Sequence, residues 1–501
     1  MRICFLSPPQ RYKNKRTSSF TSLNEYLGIA YAVSLLRHHG LQADILYFDT
    51  ESINCTAICQ EIENKGYTMI GFPSYYYSQI QLARIMNTVH RKNPDAFFFV
   101  GGFLSSLSIE YFRKLKHLQC VIVGESEQTL LELALVLKNG GDWKAVAGLM
   151  YVKNGVPYRT AKRDLIPNLD SLPFPYREAG DFDTFPMITS RGCYGRCNYC
   201  GLNEFYRLSN GCLYRRRSPE NVIDEIVELR SSHAVKHIQF SDGNFHIASQ
   251  SGRNWFNRFY TINKNKRLQV SYSCYMRANE IVAAPDLISL FCEIGLNRLF
   301  IGIESLVQSD LDFYHKDITV EENIKALDIV ERLSIDYDLG IMLFNPTTTP
   351  DTLLEFVQVL RRIKFYQTAR HVIKPISVNS TAIASIGTPL YAYVQQHHLQ
   401  ADNIRGYRFI DPRTEIIYTF ISAWSETIRP LIHQCFDLAD RSANSVAVKA
   451  AQELFFLDLS FIENTIYRIW SPESMHMGTA AIPPDFRDRL SGIQNMLNVE
   501  N

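Results

Sequence analysis

The sequence predicts an α/β protein: an N-terminal doubly wound parallel sheet over residues 1–145, a linker over 146–185, a partial (β/α)6 barrel over 186–385 and a mostly helical region over 386–501. Three observations carry this. Short apolar runs alternate with segments of helical period through the first 145 residues, the pattern of a parallel sheet covered on both faces. The alternation restarts at Phe185 and runs through six strand–helix units. Beyond residue 386 helical periodicity dominates.

In order, Ile3–Leu6 is the first strand, and Leu27–Leu36 is a helix that stops near Gly40. Ala43–Phe48 and Thr68–Phe72 are strands, followed by a helix over Ser78–Arg91. Phe97–Val100 ends at Gly101-Gly102, and Cys120–Val123 ends at Gly124-Glu125. Ligands of such sheets bind at carboxyl strand ends, where these glycines fall. Asn154-Gly155 predicts a hairpin over Gly148–Thr160. Three prolines between Pro167 and Pro175 favour extended chain. The barrel strands are expected at Pro186–Thr189, His237–Phe240, Val270–Tyr275, Arg298–Ile303, Tyr337–Phe344 and His371–Val378. Helices are expected at Ser218–Arg230, Val320–Leu333 and, near the C-terminus, Ser445–Leu457.

The 501 residues suit roughly three domains. With 46% hydrophobic and 21% charged residues the chain is too apolar for disorder. A net charge of +1 excludes a strongly basic nucleic-acid binder, so no nucleic-acid partner is expected. No apolar stretch approaches about 18–20 residues, so no membrane span is expected. The first residues lack the charge-then-apolar order of a secretory signal, and a cytoplasmic location follows. Eleven cysteines are too few for a disulfide framework, and clustered cysteines in a reducing compartment point to metal or catalysis.

The cluster is Cys193, Cys197 and Cys200, spaced C-x3-C-x2-C on the loop after the first barrel strand. Three thiolates within eight residues can converge on one centre. Structural zinc normally takes a fourth ligand, and the next Cys or His is Cys212. On a four-iron cluster three ligands leave one iron open. Zinc or coincidence is the competing reading.

This spacing resembles the signature of the radical S-adenosylmethionine superfamily. The resemblance implies a 4Fe-4S cluster held by the three cysteines, with S-adenosylmethionine chelating the fourth iron and yielding a 5′-deoxyadenosyl radical. Tyr199 takes the family's aromatic position near the adenine, or simply packs on the loop. Phe240–Phe245, with Asp242 and Gly243, resembles the motif that contacts the cofactor's amino group. Arg277, ending Ser271–Arg277, is implied to pair with the methionine carboxylate, the alternative being a surface or interdomain salt bridge. Glu304 and Ser305 close the apolar run LFIGIES and are implied to lie near the ribose and amino group. An acid ending a buried strand needs a partner. Gly340–Pro346 fits the strand lining the adenine.

The N-terminal sheet and the PNLDSLPFP linker resemble the cobalamin-binding class of the same superfamily, in which a Rossmann-like domain holds cobalamin over the barrel mouth. The resemblance places Ser74, Gly101, Gly102, Gly124 and Glu125 at the cofactor, with Tyr75, Tyr76 and Tyr77 near the corrin. No histidine sits in a D-x-H-x-x-G motif, which leaves open a sheet that keeps the fold without the cofactor. The implied reaction is methylation of an unreactive carbon of a peptide or natural-product intermediate. The alternative is radical epimerisation or rearrangement without methyl transfer. A scaffold protein using its cysteines structurally is a third class. A flavodoxin- or ferredoxin-type reductant is implied as partner. Cys435 reads as a buried apolar residue, with hydrogen-atom donation the alternative. Arg215-Arg216-Arg217 reads as a solvated face, or as a contact for an anionic substrate or the reductant.

Overall fold

In the computed structural model the described residues are 1–7, 27–47, 54–74, 79–108, 112, 114–178, 182–363, 365–378, 380–441, 445–470 and 482–498. The expected Tyr75, Tyr76 and Tyr77 lie outside them.

Seven strands form the first sheet: β1 Arg2–Ser7, β2 Gln42–Tyr47, β3 Met69–Pro73, β4 Phe97–Gly101, β5 Leu118–Ile122, β6 Leu149–Lys153 and β7 Val156–Arg159. Their order is β2-β1-β3-β4-β5-β6-β7, the first five parallel. Side-chain alternation along β1 divides the core. Ile3 and Phe5 join the core beneath helices Leu27–His38 and Glu127–Lys138. Cys4 and Leu6 join the opposite core, with helices Cys55–Lys65 and Gln79–Lys92. The chain leaves β1 for β2 on one side and reaches β3 on the other, so the switch point lies between β1 and β3. The hairpin β6–β7 pairs antiparallel with β5. The hairpin, expected within the linker, thus continues the first sheet as far as Arg159. The remaining linker packs Ile166, Leu169 and Leu172 against Tyr31.

The second sheet is β8 Thr184–Met187, β11 His237–Phe240, β12 Ser271–Arg277, β13 Leu296–Glu304 and β14 Asp336–Ile341, all parallel and in sequential order. Outward residues such as Ile238, Phe240, Tyr272, Cys274, Leu299 and Ile301 pack beneath the surrounding helices. Inward positions by the same alternation include the polar Gln239, Ser273, Arg298 and Asp338, the small Gly302, and the ring pair Tyr275–Phe300. A short ladder, β9 Ser190–Arg191 with β10 Arg215–Arg216, lies over the cysteine loop.

The sixth strand expected at His371–Val378 is absent. Pro375 removes a ladder donor there. His371 closes the edge of β14 instead, its Nε2 2.8 Å from the Tyr337 carbonyl. A single bridge, Phe344–Thr381, continues the barrel wall. Helices Pro412–Arg441, Ser445–Trp470 and Pro484–Asn498 form the C-terminal region around a core that includes Trp424, Cys435 and Phe461.

Candidate active site

The cysteine loop leaves β9 through Gly192, whose φ is +86°. A Cβ there would meet the Leu213 carbonyl oxygen at 2.0 Å, so only glycine lets the loop pass beneath β10. Cys193 accepts from the Gly195 amide at 3.3 Å, and the Cys200 amide donates to the Cys197 carbonyl at 3.2 Å. The three thiols are close enough to act on one another electrostatically. Among the described residues no three His, Cys, Asp or Glu side chains converge on a single ion. Ligands of a four-iron cluster bind different irons and stand further apart, so this donor set of three soft thiols on one loop fits the cluster.

Arg277, at the end of β12, turns onto this loop. Its Nη1 donates to Cys197 Sγ at 3.2 Å, Nη2 to the Lys316 carbonyl and Nε to Asn279 at 3.3 Å. Glu304, at the end of β13, has a φ of +65°, uncommon for a residue with a side chain. It accepts from Lys316 Nζ at 2.7 Å, and both side chains are largely buried. Lys316 is the residue that sequence reading missed. Its ammonium holds Glu304 while its carbonyl holds Arg277. The signal that could have found it is the buried strand-end acid, which demands a cation somewhere. Tyr199 packs edge-on against Tyr314 at 5.4 Å. Burial, then the Glu304 carboxylate and the Cys197 thiol, push its phenol well up.

Three acid or hydroxyl side chains expected at the cofactor are engaged by neighbouring protein groups. Asp242 accepts from the Thr189 amide and hydroxyl at 3.0 Å and from the Ser190 amide and hydroxyl. Burial pushes its carboxyl up against these bonds. It stitches β11 to the strand end that carries the cysteine loop. Ser305 donates to Asp310 at 2.8 Å and is fully buried. Glu125 accepts from Arg191, Arg215 and the Ile166 amide. Burial opposes its ionisation, but the two arginines hold its carboxyl below the usual range. The Arg215–Arg217 run is likewise no solvated face: Arg215 binds Glu125, Arg216 stacks on Trp255 at 4.4 Å and Arg217 pairs with Glu225 at 2.6 Å. Cys435 is fully buried, and burial pushes its thiol up to about 12.

Two adjoining cavities open at the carboxyl edge of the first sheet. One, of about 360 Å³, lies at the switch point between Phe5, Phe72, Ser74, Phe99, Gly101 and Gly102. Gly102 has a φ of +112°, and a Cβ there would press on Ser74 Oγ at 3.2 Å. Ser74 is fixed by the Ser105 amide at 3.0 Å. The other cavity, of about 250 Å³, is shared between Gly124–Glu127 of the first sheet and Ser190–Gly192, Leu202, Ser241 and Gly243 of the barrel. The cavities share Leu27, Gly28, Gly102 and Ser126. An apolar slot joined to a second chamber that carries charged groups and faces the cysteine loop fits a large cofactor such as cobalamin, which these residues would hold. Among the described residues no histidine lines either cavity.

This fold and cysteine loop define a radical S-adenosylmethionine enzyme. Residues 187–360 match the model of the radical SAM superfamily and residues 17–134 that of the B12 binding domain, so both domains are present. The radical SAM match implies a 4Fe-4S cluster and S-adenosylmethionine, and the B12 binding match supports cobalamin. A protein of Pyrococcus horikoshii named as an uncharacterized methyltransferase is 27% identical over 427 residues, 82% of this chain and 87% of that one. An anaerobic magnesium-protoporphyrin IX monomethyl ester cyclase of Rubrivivax gelatinosus is 24% identical over 66% of this chain and 61% of its own length. In fold, the chain resembles the cobalamin-dependent S-adenosylmethionine radical enzyme OxsB with aqua-cobalamin bound, at TM-score 0.78 and 18% identity, over 100% of this chain and 80% of that one. It also resembles the radical S-adenosylmethionine methyltransferase TsrM of Kitasatospora setae with cobalamin and cluster bound, at TM-score 0.63 and 13% identity, over 100% of this chain and 99% of that one. No helix among the described residues is long and apolar enough to cross a membrane.

Proposed function

We propose that the chain is a cobalamin-dependent methyltransferase that places a methyl group on an unactivated carbon of a small-molecule or peptide substrate. The observation that carries this reading is the pair of adjoining cavities, one on the first sheet and one facing the cysteine loop. The methyltransferase names of the Pyrococcus and Kitasatospora proteins support it. When bound, the cluster supplies the electron that cleaves S-adenosylmethionine, and cobalamin supplies the methyl group. The chain binds and orients them. Cys193, Cys197 and Cys200 hold the cluster. Arg277 offsets thiolate charge beside Cys197, and its backbone amide, bonded to Asn244 at 2.9 Å, fixes its direction. Glu304, oriented by Lys316, and Tyr199 face S-adenosylmethionine. Ser74, Gly101 and Gly102 shape the slot, and Gly124 and Gly243 line the chamber above it. Asp242, Ser305 and Glu125 act as supports behind these residues. The electron comes from a flavodoxin- or ferredoxin-type protein in the cytoplasm.

Radical rearrangement or epimerisation without methyl transfer is the second reading, favoured by the cyclase name of the Rubrivivax relative. One experiment separates the two. The protein is prepared anaerobically with hydroxocobalamin, iron and cobalt are counted per chain, and S-adenosylmethionine products are quantified with candidate substrates. Cobalt bound beside iron, with S-adenosylhomocysteine formed alongside 5′-deoxyadenosine, is the expected result. Iron without cobalt and 5′-deoxyadenosine alone overturns the methyltransferase reading.

A further inference from the structure

The chamber between sheet and barrel is bordered by charges that cofactor binding does not explain. Glu125 and Glu127 follow β5 of the first sheet. Arg191 ends β9, two residues before Cys193, and Arg215 opens β10 directly opposite it in the ladder. Two guanidinium groups facing each other across a ladder repel. Here the acids that neutralise them come from the other domain. Arg191 Nη1 donates to Glu125 at 2.9 Å and its Nη2 to Glu127 at 2.5 Å. Arg215 Nη1 donates to both Glu125 oxygens at 2.8 Å and to the Ile166 carbonyl at 3.1 Å. The ring of Tyr31, from the first domain, lies 5.3 Å from the Arg191 guanidinium, and that of Tyr206 lies 5.1 Å from that of Arg215. All four charged residues are buried.

Two acids and two arginines balance in charge. A buried set of this kind is weak evidence for stability, because desolvation offsets the Coulomb gain; its best-attested use is to specify one arrangement over others. The arrangement here is unusually determined. The planar fork of Arg191 spans two separate carboxylates, so neither a rotation nor a slide of β9 preserves both bonds.

We propose that this four-charge set is a positioning device, with Arg191 at its centre, that fixes the strand delivering the cluster cysteines at one distance and orientation from the cobalamin chamber. The inference rests on the cobalamin reading given above. Arg191, Glu125 and Glu127 are positioning residues: they act through the loop and not on the reacting atoms. A lysine at 191 keeps the charge but presents a point donor that cannot hold two carboxylates in fixed geometry.

The test uses the full chain, loaded anaerobically with iron, sulfide and hydroxocobalamin, as the parent, as Arg191→Lys and as Glu127→Gln. Iron and cobalt per chain are counted first. Electron paramagnetic resonance then reads the spin–spin splitting between cob(II)alamin and the reduced cluster in the same molecule, which depends steeply on their separation and orientation. The expected result is full iron and cobalt in each variant, with the single splitting of the parent shifted or broadened into a distribution. Both centres present with an unchanged splitting in both variants overturns the proposal, as does a parent holding both centres with no coupling. A parent that binds iron but no cobalt overturns the cobalamin reading itself, and so fails in a different column of the same measurement. Should Arg191→Lys not fold, Glu127→Gln decides alone, since it leaves every bond to Glu125 in place.

Discussion

Lys316 and Glu304 show what one residue can settle at this site. Removing one member of a buried ion pair leaves the other charge uncompensated and costs about 3–5 kcal/mol. Lys316→Met is therefore expected to destabilise the protein by an amount of that order and to weaken S-adenosylmethionine binding, while Lys316→Arg retains most of both. Urea unfolding and titration of the reconstituted cluster with S-adenosylmethionine check the two halves. Glu304 itself sits in the left-handed region, which asparagine tolerates better than alanine. Glu304→Asn is expected to be about 1 kcal/mol more stable than Glu304→Ala, although both lose the carboxylate and bind S-adenosylmethionine equally poorly. Equal stability of the two variants would show that the backbone at 304 is not strained. The cysteines were legible from spacing alone, because three soft ligands on one short loop have few other uses. Lys316 was not, because its partner lies twelve residues away and only the fold brings the two together. Asp242, Ser305 and Glu125 were legible as polar residues at strand ends, but the protein groups that hold them were not. Which way a short acid turns depends on amides and guanidinium groups that the linear sequence does not place.

At the scale of elements, helix Val320–Arg332 does more than cover the barrel. It begins with a full capping box, in which Thr319 accepts from the Glu322 amide and Glu322 accepts from the Thr319 amide. From its first turn Asn323 donates to the carbonyls of Ile303 and Ser305 at 3.0 and 2.9 Å, gripping the chain on either side of Glu304. Thr319→Ala is expected to cost about 1 kcal/mol, and hydrogen exchange should rise at the end of β13 as well as in the helix. Exchange confined to the helix would uncouple the two. The helix expected from Val320 starts there because Thr319 caps it, and the one expected from Ser218 starts at Pro219 with Ser218 as its cap. The expected strand at His371–Val378 failed for the converse reason. Its apolar pattern suits a strand, but Pro375 and the docking of Ser377 on a distant helix outweigh the pattern. The β6–β7 hairpin was recognised from its Asn-Gly turn, whereas its attachment to β5 depends on an edge that local sequence does not reveal.

At the scale of the whole molecule, the C-terminal helices are tied to the barrel through Asp458. It accepts from the Ser377 amide at 3.0 Å, the Ser377 hydroxyl at 2.5 Å and Trp424 Nε1 at 2.8 Å. Burial raises its carboxyl to about 6, against these bonds. The folded protein therefore keeps this proton up to about pH 6, whereas the unfolded chain releases it near pH 4. Stability from this group is greatest at low pH and falls as pH rises through that window. The unfolding free energy of the parent relative to Asp458→Asn is expected to drop by about 2–3 kcal/mol between pH 4 and 6.5, read from urea midpoints at each pH. A constant difference would mean that Asp458 is ionised throughout. The same scale governs the charges between sheet and barrel. A barrel separated from its sheet would hold Arg191 and Arg215 side by side without counterions, and the sheet alone would turn two acids toward water. The junction near residue 160 looks like a convenient place to cut and recombine, yet neither half is an interchangeable part. A graft of this barrel onto another B12 domain would work only if the acids at 125 and 127 travelled with it.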